Sequence, residues 1–152
     1  GNVVVGPSSG TVIQTINKGP IPRKIEASTA AKIADQLRAM GSQKFTLIDY
    51  AGGQDQETHD YFMRIGEIFK AAGWTPDGYE GKSFQQVGGT PVVGLRFAFH
   101  SKPSAFPAHY LGVWKAFTDN GIAIDTTGSI FLPVLVESDD TVGMAIGRRP
   151  LQ

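Results

Sequence analysis

The chain has 152 residues, 41% of them hydrophobic and 18% charged, which fits one domain that buries roughly 70% of the surface its unfolded form exposes. Lysine plus arginine and aspartate plus glutamate balance at 14 each, so no bulk field draws the protein onto nucleic acid or an anionic membrane surface. The lack of cysteine excludes a disulfide framework, a thiolate metal site and a thiol nucleophile, and leaves both reducing and oxidising compartments open.

The first stretch, "GNVVVGPSSGTVIQTINKGPIPRK", alternates short apolar runs with Gly, Pro and Ser, residues that punctuate rather than build regular structure. Residues 1–22 are therefore expected to form a lead-in arm, with Thr11 to Ile16 as an edge strand, ahead of a single domain over residues 23–150. Pro20 and Pro22 forbid a helix start before about Arg23. From Ser28, read as the capping residue, Ile33, Leu37 and Met40 recur at helical spacing until Gly41. "KFTLIDY", Lys44 to Tyr50, is a nearly continuous apolar and β-branched run, expected of a central strand covered on both faces. Asp55 caps a second helix, whose Phe62, Ile65, Phe69 and Ala72 form one stripe and which Gly73 stops.

The next stretch is turn-rich, with one short strand near Ser83 to Val87. "PVVGLRFAFH" then alternates strictly, Val93, Leu95, Phe97 and Phe99 against Gly94, Arg96, Ala98 and His100, so one face is core. A third helix carries Phe106, Tyr110, Val113, Trp114 and Phe117 on one side, with Pro107 tolerated near its first turn and Asn120 and Gly121 at its end. "IAID" is a short strand; "SIFLPVLVE" is a second apolar run, in which Pro133 argues for an edge or a bulge. "DDTVGMAIG" supplies a turn and a last strand. The alternation of strands and helices predicts an α/β fold, a three-layer α/β/α sandwich with a mainly parallel sheet and an antiparallel edge from the C-terminal hairpin.

Open α/β sheets bind ligands outside the carboxyl ends of their strands, where loops and helix amino termini meet. On that rule Tyr50, Gly52, Gly53 and Gln54, joined by Arg96 and His100, are the expected ligand-binding residues. The two glycines allow close backbone approach, and the following helix offers amides and a positive dipole end. Asp55, however, already fills that place with its own carboxylate, and the acidic first turn (Asp55, Glu57, Asp60) repels phosphate. What the loop takes is thus neutral or cationic, unless it is only a well-capped connection.

Arg96 stands in an otherwise apolar strand and needs either a carboxylate partner or an anionic ligand. Asp49 and Asp125, each at a strand end, are the alternative set, for a divalent metal in a small hydrolase or transferase. His59, His100 and His109 fit no metal-binding spacing, Ser101 stands in no nucleophile elbow, and "GRR" at Gly147 to Arg149 reads as a solvated end. No cofactor signature is present.

Three segments together resemble a known type of domain: "IPRKIEASTAAKIADQLRAM", "QKFTLIDYAGGQDQETHDYFMRIGEIFKAAGW" and "TVGMAIGRRP". Their order, an R-x-I lead-in, a helix, a strand, a loop, a helix ending in A-G-W and a strand of the form V-G-x-x-x-G-x-x-P, resembles a poorly characterised C-terminal α/β domain of bacterial proteins that carry transmembrane helices and a coiled coil upstream. The resemblance covers roughly residues 22 to 150 and brings no catalytic residue with it. It implies a membrane-associated parent, tethered to the inner membrane, and a soluble domain with a sensor-like function: binding a small molecule or a protein partner without catalysis; the resemblance leaves the side of the membrane open, with the cytoplasmic side favoured. No run in this chain approaches the eighteen or so apolar residues of a membrane helix, so any anchor is expected in a segment elsewhere. A homo-oligomer paired through "SIFLPVLV" is the structural alternative.

Overall fold

A computed structural model describes residues 21–77, 82–83 and 92–150; the expected strand at Thr11 to Ile16, and most of that near Ser83 to Val87, lie outside them. Helix α1 (Ala27–Ala39) begins two residues earlier than its serine suggests. Glu26 is the residue at its cap, in extended geometry and without a side-chain capping bond, and Ser28 falls inside the first turn. Strand β1 (Lys44–Asp49) follows. Helix α2 (Gln56–Ala71) starts as its chemistry requires, with the Asp55 carboxylate accepting the Thr58 amide. It ends at Gly73, whose φ of 84° is the left-handed turn that glycine alone adopts without cost. The turn drops Trp74 into the core, where its indole N–H donates to the Leu37 carbonyl of α1.

The later elements are the short strands β2 (Thr75–Pro76) and β3 (Lys82–Ser83), then β4 (Leu95–Phe99), helix α3 (Ala108–Thr118), β5 (Ile124–Phe131) and β6 (Val142–Ile146). The last two residues of "IAID", Ile124 and Asp125, and "SIF" belong to one strand, β5; Pro133 lies beyond its end, in a turn. The sheet runs β2-β1-β6-β4-β5, with β3 also pairing to β1. Every pairing is parallel except β4 with β6, which gives the α/β fold with a mainly parallel sheet. The antiparallel pairing is not at an edge. β6 lies between β1 and β4 and all five of its residues are buried, because an apolar strand with neighbours on both sides satisfies its whole backbone away from water.

Strand alternation divides the core. Phe45 and Leu47 of β1, Leu95, Phe97 and Phe99 of β4 and Val142, Met144 and Ile146 of β6 join the buried faces of all three helices in one cluster. Ile48 and Ala98 point the other way, into a smaller cluster with Val136, bordered by Tyr50, Ile130, Leu132 and Leu135. The three helices therefore share one face. Among the described residues the opposite face is covered by the turn after β5, not by a second helical layer. None of these helices is long and apolar enough to cross a membrane.

Tyr110 of α3 locks the two central strands. Its buried hydroxyl lies 2.7 Å from the Ala98 carbonyl and 3.0 Å from that of Thr141, and it accepts the Gly143 amide at 2.9 Å; burial pushes its pKa up to about 12. Gly143 is obligatory beside it, since a Cβ there would lie 2.4 Å from the Ala98 oxygen. Replacing Tyr110 with Phe strands a buried amide, and Tyr110→Phe is expected to cost about 1–3 kcal/mol in urea denaturation. Gly143→Ala should cost a similar amount, about 1–3 kcal/mol, by forcing the β4 and β6 backbones apart.

Candidate ligand-binding site

The carboxyl end of β1 is built from internal bonds. Asp49, almost fully buried, accepts the Ala51 amide on one oxygen and lies 3.2 Å from His59 Nδ1 on the other. Gly52 and Gly53, both with positive φ, carry the chain through consecutive tight turns in which the Gly52 amide donates to Asp49 and the Gln54 amide to Ala51. Asp55 receives both the amide and the hydroxyl of Thr58, and Arg148 approaches its other oxygen at 3.4 Å. The hydroxyl of Thr58 leads the amide and the arginines in holding the Asp55 carboxyl below its usual range.

One turn into α2, Glu57 anchors a larger cluster. Its carboxylate is only 8% exposed and accepts the Arg23 backbone amide at 2.8 Å, together with Nε and Nη2 of the same arginine at 3.0 Å each. Arg149 adds a longer contact at 3.8 Å. Burial alone would raise the Glu57 pKa; the Arg23 hydrogen bonds and the charges of Arg23 and Arg149 outweigh it and leave the carboxyl below its ordinary value. Arg23 Nη2 also donates to the Gly147 carbonyl at 2.8 Å, and the guanidinium lies over the Tyr61 ring, 4.4 Å from its centroid, a cation–π contact. Its remaining nitrogen, Nη1, is buried and meets no acceptor among the described residues. The terminal "GRR" is thus a strap across the start of α2, not a solvated end.

Arg23 lines a cleft of about 350 Å³ with Lys24, Tyr61, Gly94, Leu95, Gly121, Ile122, Ala123 and Pro150. The cleft opens where β6 ends and β4 and β5 begin, so it sits at the sheet edge where an α/β protein binds ligands. Gly94 belongs to its wall because its amide donates to the Arg148 carbonyl while its own carbonyl accepts from Gly147.

The residues expected from sequence are distributed differently. Tyr50 and Arg96 share the face away from the helices and are close enough for the arginine charge to oppose the rise that burial imposes on the tyrosine pKa. Arg96 has the carboxylate partner its strand demanded, Asp125 at 3.4 Å, and its Nη1 occupies space above Gly128 that a Cβ would invade. His100 is at the other end of β4, with Nδ1 2.7 Å from the Val136 carbonyl, so it does not join Tyr50. His109 lies against the Asp139 carbonyl, and Ser101 donates to the Asp139 carboxylate rather than to a histidine.

Asp49 and Asp125 do not form a metal pair. They project from opposite faces of strands three apart, about 14 Å at ~4.8 Å per strand. Moreover, no group of three or more His, Asp or Glu side chains that could hold a metal occurs among the described residues.

Arg23 escaped the sequence reading because an arginine ahead of a helix looks like any solvated charge. The available signal was the R-x-I lead-in itself, whose Ile25 is buried and whose Ile25 carbonyl is held by Arg64.

The depressed Glu57 pKa carries a sign. A carboxyl whose folded pKa lies below its unfolded one stabilises the fold above the unfolded value, and that contribution fades as pH falls through the folded value. The stability gap between the wild type and Glu57→Gln should accordingly be widest and flat above pH of about 5 and should narrow steadily below about 4. Urea denaturation of both proteins across this range measures it.

Comparison of the chain with protein-family models, with curated proteins and with solved structures finds no significant match, so the geometry of the cleft is what any functional reading stands on.

Proposed function

We propose that this is a noncatalytic, sensor-like α/β domain whose ligand site is the cleft lined by Arg23, Tyr61 and Ile122. The observation that carries the reading is Arg23. Its guanidinium is immobilised by Glu57, Gly147 and Tyr61, yet one buried nitrogen has no acceptor among the described residues. Leaving such a donor unpaired costs about 1–3 kcal/mol, which an acceptor entering beside it would recover. A preorganised charge next to apolar walls is the usual make-up of a small-molecule site. The side chains lining the cleft provide charge and shape, and none of them is a ready nucleophile or general base at neutral pH. The resemblance noted above supports a membrane-associated bacterial parent for such a sensor.

The amides of Gly94 and Gly121 report on the cleft, and those of Gly52 and Gly53 on the β1–α2 loop. In ¹⁵N-resolved spectra a small-fragment set should shift the first pair in the wild type and leave it unmoved in Ile122→Trp, which fills the cleft. Shifts confined to Gly52 and Gly53 would return the site to the loop.

A further inference from the structure

We infer that the ligand of this cleft is a small carboxylic acid with a compact apolar body and no amino group; the inference rests on the cleft being the binding site. Charge is the first reason. Arg23, Arg148 and Arg149 are linked to Asp55 and Glu57 in one cluster, three cations against two anions. Lys24 stands at the rim, and its contact with Glu26 is long, 4.0 Å, between two exposed side chains. One negative charge balances the cluster; a phosphate would bring more, close to two buried or half-buried carboxylates.

The donors available point the same way. Phosphate sites present several converging backbone amides, but three of those in the cleft wall are already engaged: Gly94 donates to Arg148, Gly121 to Thr118 and Ile122 to Phe117. The charged side chains lining the cleft are the Arg23 guanidinium and the Lys24 ammonium, a set that suits the two oxygens of one carboxylate. Tyr61, Leu95, Ile122, Ala123 and Pro150 then wall the rest of the space, whose size suits one aromatic ring or a branched chain. Among the described residues no carboxylate lines this wall, so the ammonium of an α-amino acid would be desolvated without a partner there.

The test titrates the ¹⁵N-labelled protein with phenylacetate, isovalerate, phenylacetamide, phenylalanine and inorganic phosphate, following the amides of Gly94, Gly121 and Ile122. At least one of the two acids should shift them saturably, with phenylacetamide and phenylalanine weaker by about tenfold or more and phosphate without effect. Arg23→Lys, which keeps the charge but loses the planar fork, should weaken the acid. Ile122→Trp should abolish its binding, and Ala123→Phe, at an exposed position, replaces that variant if it does not fold. Equal binding of the amide, tighter binding of phosphate, or silence from both acids at millimolar concentration while other fragments move these amides would overturn the inference and leave the cleft as the site. Silence from every probe and fragment would remove the site itself.

Discussion

The buried carboxylate of Glu57 is the point on which three distant pieces of chain depend. Taking a carboxylate out of water is costly unless hydrogen bonds replace its hydration, and Glu57 obtains those bonds from Arg23, 34 residues earlier, with a longer ion-pair contact from Arg149 in the strap that follows β6. Neither partner segment has regular structure of its own. The lead-in is held by Glu57, by the Gly147 carbonyl and by the burial of Ile25, and the strap is held by the same guanidinium and by Asp55. Removing any one member leaves a charge uncompensated for the others, so the helix start, the lead-in and the strap are ordered together. The cleft is framed by that joint.

The position of β6 explains why the cleft is where it is. β1 and β6 run parallel and finish at the same edge, while β4, antiparallel to β6, and β5, parallel to β4, both begin there. Two strand ends and two strand starts therefore meet at this edge. Gly143 and Gly147 let the last strand and its extension slide against β4 and the residues before it, since a Cβ at either would lie 2.4 Å from a facing carbonyl oxygen. The V-G-x-x-x-G spacing seen in the sequence is a packing requirement of a strand inserted between two others.

Much of this fold is legible residue by residue, because its signals are local. Asp55 caps α2 through a contact three residues away, Gly73 ends it through its own φ, and the alternation of β4 separates core from open face within five residues. What is not legible depends on distant pairing. "VGMAI" reads the same at an edge or in the centre, and only its two neighbours, far apart in sequence, decide between them. The side of the sheet on which the three described helices pack was not legible for the same reason: periodicity shows that a helix has an apolar face, not which side of the sheet receives it. At the site, the partner of Arg96 was foreseeable as a type but not as Asp125, and the solvated reading of "GRR" missed two acidic partners some ninety residues upstream, which charge patterning along the chain does not reveal.

The shift of the site from the β1–α2 loop to the Arg23 cleft follows from how α2 uses its own amino terminus. The exposed amides and positive dipole end of a helix can serve a ligand only when the protein leaves them open. Here the Thr58 amide goes to Asp55, the Ala51 amide to Asp49, and His59 and Arg148 close the remaining carboxylate oxygens. Part of the loop is therefore engaged by its own side chains. Positive charge at this edge is also carried by guanidinium groups, and of these Arg23 is held from three sides while bordering the cleft. Recognition through a side chain rather than through a helix terminus places the binding charge one element earlier in the chain and across from β4 and β5, where apolar walls are at hand.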